Sequence, residues 1–531
     1  MSEGRPQQLK AFIFLTVFFS ASFLIFYSAF YSTQGFSLPE TNRTGTLVIK
    51  GWPFSDYPEE FGEALFSSEL ANDPVLGRIA CPALSRLDLR KGVSTPLLAR
   101  YITTQTATNR KTLWRFELRS GIYWWNREPV NSKDVANFIK SALPTAVEKE
   151  GAGLWKLPVF SITEEPTAVV VKWESTPSFG PFILNGIPLA RQTGPHGRYE
   201  CAGLFGIQKR ELGWELVSSP GYKSKVRKIQ FFTEGLDTSK SIDKKKVPSY
   251  IKFLFAKDFS GHPSQRPSDT PAQCTKVLNL PMLTVINWNK KFGYASRPEL
   301  RKIFTGLVPR GELLKAGAAY LGDLLSGPIP REHPGYNKSI LVRPFQIEQL
   351  SKELDQLGFN RREPDKPRLD QSGKPFEIKL RVTPESKGLV EKVVTDSFAA
   401  LGIGTTFESG TSYKDDVDGI LMGIRLPWPG MNLLADFHSS ASSKLPFWGP
   451  IFGNTERDRT LDQMLEAYAT SLTYEKPDFR LLQDIHKQLF EGEPLTILLQ
   501  HQVCLEVDES LRSKTRGLTV TDPDWFRNLI Y

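Results

Sequence analysis

The stretch that leaves this chain least choice is 114–135, WRFELRSGIYWWNREPVNSKDV. Leu113, Arg115, Glu117 and Arg119 alternate with Trp114, Phe116 and Leu118. That period of two belongs to a strand with one buried face. Ser120-Gly121 turns the chain, IYWW reads as a second strand, and Asn126-Arg127 makes the next turn. Pro129 offers no N–H and stops the ladder. Asn131, with Asp134 three residues on, is a capping-box pattern opening a helix over 132–142. The rings are thus expected to be hairpin core and Asp134 a cap, which leaves the segment without chemistry.

A second constraint lies at the N-terminus. Residues 11–31, AFIFLTVFFSASFLIFYSAFY, carry no charge. As a helix they span about 31 Å, enough to cross a bilayer. Arg5 and Lys10 precede the run, which keeps residues 1–10 in the cytoplasm and the rest of the chain outside it. A cleaved signal peptide is the alternative, with Ser20-Ala21-Ser22 as the small-residue site, but apolar residues run on past it. The expectation is an uncleaved anchor at 11–31 followed by a polar tether at 32–45.

The 531 residues exceed one ordinary core, so two or three domains are expected. The net charge of +9 is spread along the chain, and its densest basic run, Lys244–Lys246, is short. A nucleic-acid surface needs a basic stripe or a known motif, and neither is present. Cys81, Cys201, Cys274 and Cys504 form no CxxC pair. They allow up to two disulfides in an oxidising compartment, with the pairing open, while Cys81 and Cys504 read as small core residues. The six histidines are scattered, the nearest pair being His486 and His501, and show no metal-ligand spacing. No GxSxG, HExxH or phosphate-binding loop occurs. The expectation is no catalytic residue, no metal and no cofactor, in a protein that holds something rather than transforms it.

Residues 46–52 read as a strand and 61–87 as a helical stretch. Strands are expected at 169–175 and 228–232, a hairpin over 198–219 broken at Gly213, and an interval over 233–282 that includes surface loops. A strand at 283–289 opens a second lobe. Two short helices divided near Pro309 follow, then a helix with Ile347, Leu350, Leu354 and Leu357 on one face, capped by Gly358. Over 376–503 the order is strand, helix ending at Gly402, strand at 417–424, helices near 459–472 and 477–490, then a strand. That is an α/β lobe with a mixed sheet.

In this order the segments resemble the family 5 extracytoplasmic solute-binding proteins, the oligopeptide, dipeptide and nickel receptors of ABC importers. WRFELRSGIYWWNREPVNSKDV is similar to that family's signature, y-T-F-k-L-R-x-G followed by T-A-x-D-V. LSRLDLRKGVSTPLLARYI, the 195–232 hairpin and turn, Asn289-Lys290-Lys291, RPELRKIFTGLVPRGELLK, DGILMGIRLPWPGMNLLADF and PLTILLQHQ match its later segments. The likeness runs over about 45–531. Arg127 stands where the family has a turn glycine, Arg198 where it has proline and Pro309 where it has aspartate.

The resemblance implies a two-lobed periplasmic-binding-protein clamshell of the large peptide-receptor subclass. Lobe 1 is 45–282 with 503–531, and lobe 2 is 283–502. Two hinge strands join them, a solute is held between them, and ABC permease subunits are the partners at the periplasmic face of the inner membrane. A transport-incompetent sensor or envelope interaction protein on the same fold is the alternative. Trp428, Arg425, Asn289 and Trp52 are the candidate ligand-binding residues. Aligning the family's W-x-x-D-Y loop puts Ile424 at its Trp, Pro427 at its Asp and Trp428 at its Tyr. The acid that binds a peptide's ammonium there is thus missing, with Asp415, Asp416 and Asp436 the nearest substitutes. A solute with anionic or neutral polar groups, or a blocked peptide stacked on Trp428, is expected.

Overall fold

The computed structural model describes residues 46–50, 81–107, 109–192, 199–203, 205–210, 213–218, 226–232, 249–254, 274–311, 322–342, 344–363, 365–382, 389–410, 416–440, 459–492, 495–509 and 511–512. The 11–31 run, the tether, Trp52, Asp415 and Arg198 lie outside them. Among the described residues no helix is long and apolar enough to cross a membrane.

An eleven-stranded sheet among the described residues forms the spine. Its centre is two thirteen-residue strands, Lys276–Trp288 and Leu495–Val507, paired antiparallel. On one side follow Ser249–Leu254, Thr46–Lys50, Lys228–Phe232, Gly213–Ser218 and Phe205–Arg210. On the other follow Gly419–Arg425, Glu377–Val382 and Gly404–Ser409, the last two parallel to their neighbours. The ladder between the central strands is irregular between Asn279 and Leu283. The lobe boundaries expected at 282/283 and 502/503 fall inside these two strands, the first at that irregularity.

Residues 81–202 build a smaller module with its own core. Thr112–Leu118 buries Trp114 and Phe116 on one face and turns Arg115 and Glu117 outward, as the alternation requires. It does not form a hairpin with the IYWW segment. It pairs with Ala99–Thr106 and Ala168–Trp173, while Tyr123–Trp124 pairs with Tyr199–Gly203 in a separate sheet. The capping box forms as expected: Asp134 N–H donates to Asn131 Oδ1 and Asn131 N–H to Asp134 Oδ2. Asp134 Oδ2 also accepts from Trp124 Nε1 at 3.1 Å, tying the cap to the buried ring. The helix is longer than expected, Ser132–Glu150, because Pro144 sits on its exposed side, where water can serve the carbonyl a proline leaves free.

Several other expectations change. Ser85–Asp88, the end of the stretch read as helical, is a strand paired with Val93–Pro96. The interval 233–282, expected to include surface loops, also contains Ser249–Leu254 and the start of Lys276–Trp288. Pro298–Leu307 is the first of the two short helices, and residues 312–320 of the second lie outside the description. The cysteines form two disulfides, Cys81–Cys201 and Cys274–Cys504, so Cys81 and Cys504 are core positions that are also bridged.

Candidate functional site

The 417–425 segment, the loop after it and the turn that follows its partner strand carry three of the four candidate residues. Its strand pairs with 276–288 from Trp288↔Gly419 to Met282↔Arg425. Asn289 follows one end of that ladder, and Arg425 and Trp428 belong to the other. At a strand rise of about 3.4 Å per residue the ends are some 20 Å apart, so one compact solute does not touch both.

Asn289 is fully buried, and its polar groups are engaged by its own turn. Its backbone N–H donates to Asp418 O at 2.7 Å, its Nδ2 to Val417 O at 3.0 Å, and its Oδ1 accepts from Lys291 N–H at 2.9 Å. Asp418 completes the turn by accepting from the N–H groups of Tyr294, Ala295 and Lys379. Gly293, at φ 63°, lies so close to it that a Cβ there would meet Asp418 Oδ1 at 2.1 Å. The structure therefore gives Asn289 the work of shaping a turn.

Trp428 stands in a loop held from three directions. Its ring is 3% exposed and meets His333 edge to face at 5.3 Å. His333 Nδ1 accepts from Gly335 N–H at 3.0 Å, which leaves the proton on Nε2 to donate to Pro429 O at 2.9 Å. Burial pushes the His333 imidazole down to about 4, so it stays neutral. Tyr468 Oη donates to Gly430 O at 2.7 Å. Asn432 Nδ2 donates to Glu150 O and Glu150 Oε2, at 2.9 and 2.8 Å, from the other part of the chain. Trp428 is thus the pillar of the loop, with no open face for stacking.

Pro427 brings neither charge nor N–H, and its carbonyl accepts from Met431 N–H. Asp416 accepts from Arg381 at 2.8 Å, which holds its carboxyl below the usual range. Asp436, half-buried in Leu434–Phe437, has its carboxyl pushed up to about 8 by burial and is mostly neutral at pH 7. Among the described residues no group of three His, Cys, Asp or Glu side chains could hold a metal ion. His333, Tyr468, Asn432 and Glu150 were not marked by the sequence. They come from four distant segments, and no local spacing announces their convergence.

No family model matches the chain, and no curated protein matches it in sequence. Solved structures do match its fold. The oligopeptide-binding protein AppA from Bacillus subtilis is 15% identical, with a TM-score of 0.59 over 91% of this chain and 98% of that one. The nickel ABC transporter protein from Bacillus halodurans is 14% identical, with a TM-score of 0.63 over 91% and 98%. NikA from Brucella suis is 13% identical, with a TM-score of 0.65 over 91% and 99%. At such identity the likeness is one of fold: the chain has the two-lobed architecture of the family 5 solute-binding proteins that its sequence motifs resemble.

Proposed function

We propose that this chain is a membrane-tethered extracytoplasmic receptor that takes a peptide-like or other small solute between its two lobes and delivers it to an ABC importer. The observation that supports this most is the fold, shared over 91% of the chain with an oligopeptide-binding protein and with NikA. In this reading 45–282 with 503–531 and 283–502 are the lobes, the Ile424–Leu434 loop faces the solute, and 11–31 anchors the protein at the periplasmic face of the inner membrane.

Among the similar structures, AppA was solved with a nonapeptide and the Brucella suis NikA with Fe(III)-EDTA. A fold that holds ligands so unlike leaves the choice to the loop chemistry of each chain. Here the loop has Pro427 at the acid's place, a mostly neutral Asp436 and the cation of Arg425. A buried ammonium without a counter-charge costs several kcal/mol. The reading is therefore a solute with anionic or neutral polar groups, or a blocked peptide, seated against the loop that Trp428 supports. Calorimetric titration of the full chain with free di- to penta-peptides and their N-acetylated forms tests it. Tight binding of the free forms, lost on acetylation, would refute the solute class.

The burial of Trp428 and the Asn432–Glu150 contact favour one second reading, a receptor-like body that no longer serves transport. Loss of uptake of a solute that co-purifies with the full chain, on deletion of the chain from cells, would exclude it. For the anchor, the protein should stay with membranes through salt and alkaline washes; a soluble form beginning near Phe23 would contradict it.

A further inference from the structure

Polar contacts at two places, bordering one apolar cluster, join the 81–192 module to the part of the chain around 428–492. The first is at the end of helix Ser132–Glu150. Asn432 Nδ2 donates to both the backbone and the carboxylate of Glu150, while Asn432 Oδ1 accepts from Leu434 N–H at 3.2 Å. Beside it Ala152, with Leu154 and Trp155, packs in one apolar cluster with Met431, Leu433 and Trp428. The second zone lies further along the same interface, where Trp155 stacks on Phe179 at 6.0 Å and Gly430 faces Leu472. Ser94 N–H donates to Glu475 O at 2.8 Å and Ser94 Oγ to Tyr474 O at 3.4 Å. Asn185 Nδ2 steadies that hydroxyl at 2.6 Å. Gly180 is seated so close that a Cβ would lie 2.7 Å from Thr473 O and 2.9 Å from Tyr474 Cδ1.

We infer that these zones act together as a clasp, in which Asn432 on Glu150 and Ser94 on Glu475 hold the two halves of the molecule closed through the chain's own atoms. The chemistry suits a reversible device. The polar contacts of each zone are ones that water can replace when they part. Both sit on one rigid module, so they are made or lost as a unit. Asn432 is the sensitive point, since its amide is what faces a carboxylate. The clasp concerns closure and needs no solute, so its failure and that of the receptor reading are distinguishable.

Hydrogen exchange read by mass spectrometry on the full-length chain in detergent micelles tests the coupling. Asn432→Asp sets two carboxylates against each other at the first zone and keeps the acceptor for Leu434 N–H. Peptides covering 90–96, in the second zone, should then exchange about tenfold faster, as expected for a lost hydrogen bond to a charged group. Adding Glu150→Gln exchanges donor and acceptor and should return 90–96 towards the wild-type rate. Gly180→Ala approaches from the other end: its methyl wedges the module from Thr473, and peptides covering 430–436 should speed up by a similar factor. The clasp is wrong if Asn432→Asp accelerates 430–436 alone, if the double variant exchanges as fast as the single, or if Gly180→Ala leaves 430–436 unchanged. Uniform acceleration over the whole chain in both single variants would show general destabilisation and also overturn it.

Discussion

Arg127 shows what a single departure from a pattern costs. It stands in a turn at φ 72°, a left-handed conformation that crowds a Cβ and costs roughly 1–2 kcal/mol outside glycine. Its side chain is exposed, and its N–H donates to Trp124 O, a bond glycine keeps. Arg127→Gly should therefore stabilise the protein by about 1 kcal/mol, seen as a higher urea midpoint at unchanged slope. Trp114 makes the opposite case. It is 1% exposed and meets Trp173 and Phe179 edge-on at 4.7 and 6.0 Å. Trp114→Ala should cost about 3–5 kcal/mol, and a loss below 1 kcal/mol in the same titration would contradict its place in the core. Both positions were legible because alternation and turn chemistry are local. The surroundings of Trp428 were not, since its burial is decided by His333 and Tyr468, which lie far from it in sequence.

At the scale of elements, the sequence revealed where things begin better than where they end. The Asn131–Asp134 box marks the start of its helix correctly, and its removal is measurable: Asn131→Ala should lower stability by about 1 kcal/mol, the usual value of a helix N-cap, by denaturant titration. The end was missed by eight residues, since Glu150 closes a helix expected to stop at 142 and Pro144 reads as a breaker until its exposed placement is known. The Trp114 strand and the Trp124 strand show a different limit. Alternation tells that each has a buried face, but the partner is chosen by the sheet: Val169 and Val171 lie across from Phe116 and Trp114, while Ala202 lies across from Trp124. Strand 404–409 went unseen because its GTTFES pattern exposes or half-exposes every side chain and gives no apolar rhythm.

For the whole molecule, burial of histidines sets a pH dependence. His333 and His486 are buried, and burial pushes both down to about 4. The unfolded chain, with histidines near 6.5, binds more protons than the folded one between those values. The stability they contribute is thus complete above pH 6.5 and is lost as pH falls towards 4, by at most about 3 kcal/mol each. Asp436, raised to about 8, works against them, because its contribution is present at low pH and lost as pH rises from about 4 to 8. Two histidines outweigh one carboxyl, so the urea midpoint should drop between pH 6.5 and 4.5, and less steeply in His333→Gln. The overall architecture could be anticipated only through the resemblance of many weak segments in order. The sheet order itself could not, because Thr46–Lys50 pairs with strands some 180 and 200 residues away, and no local rule fixes so long a closure.

The two disulfides have a mechanical consequence. The bridges enclose separate stretches, 81–201 and 274–504, and the second contains all of the expected second lobe, 283–502. If the chain is stretched by its two ends, tension passes through the sulfur atoms and bypasses everything between the bridged cysteines. Of 531 residues only about 180 then lie on the force path, with an extended length near 600 Å against roughly 1,800 Å for the reduced chain. Optical-trap extension with and without reductant would show that difference directly. Pulled by its two ends, the chain would surrender slack from the residues outside the bridged stretches while 274–504 carried no load.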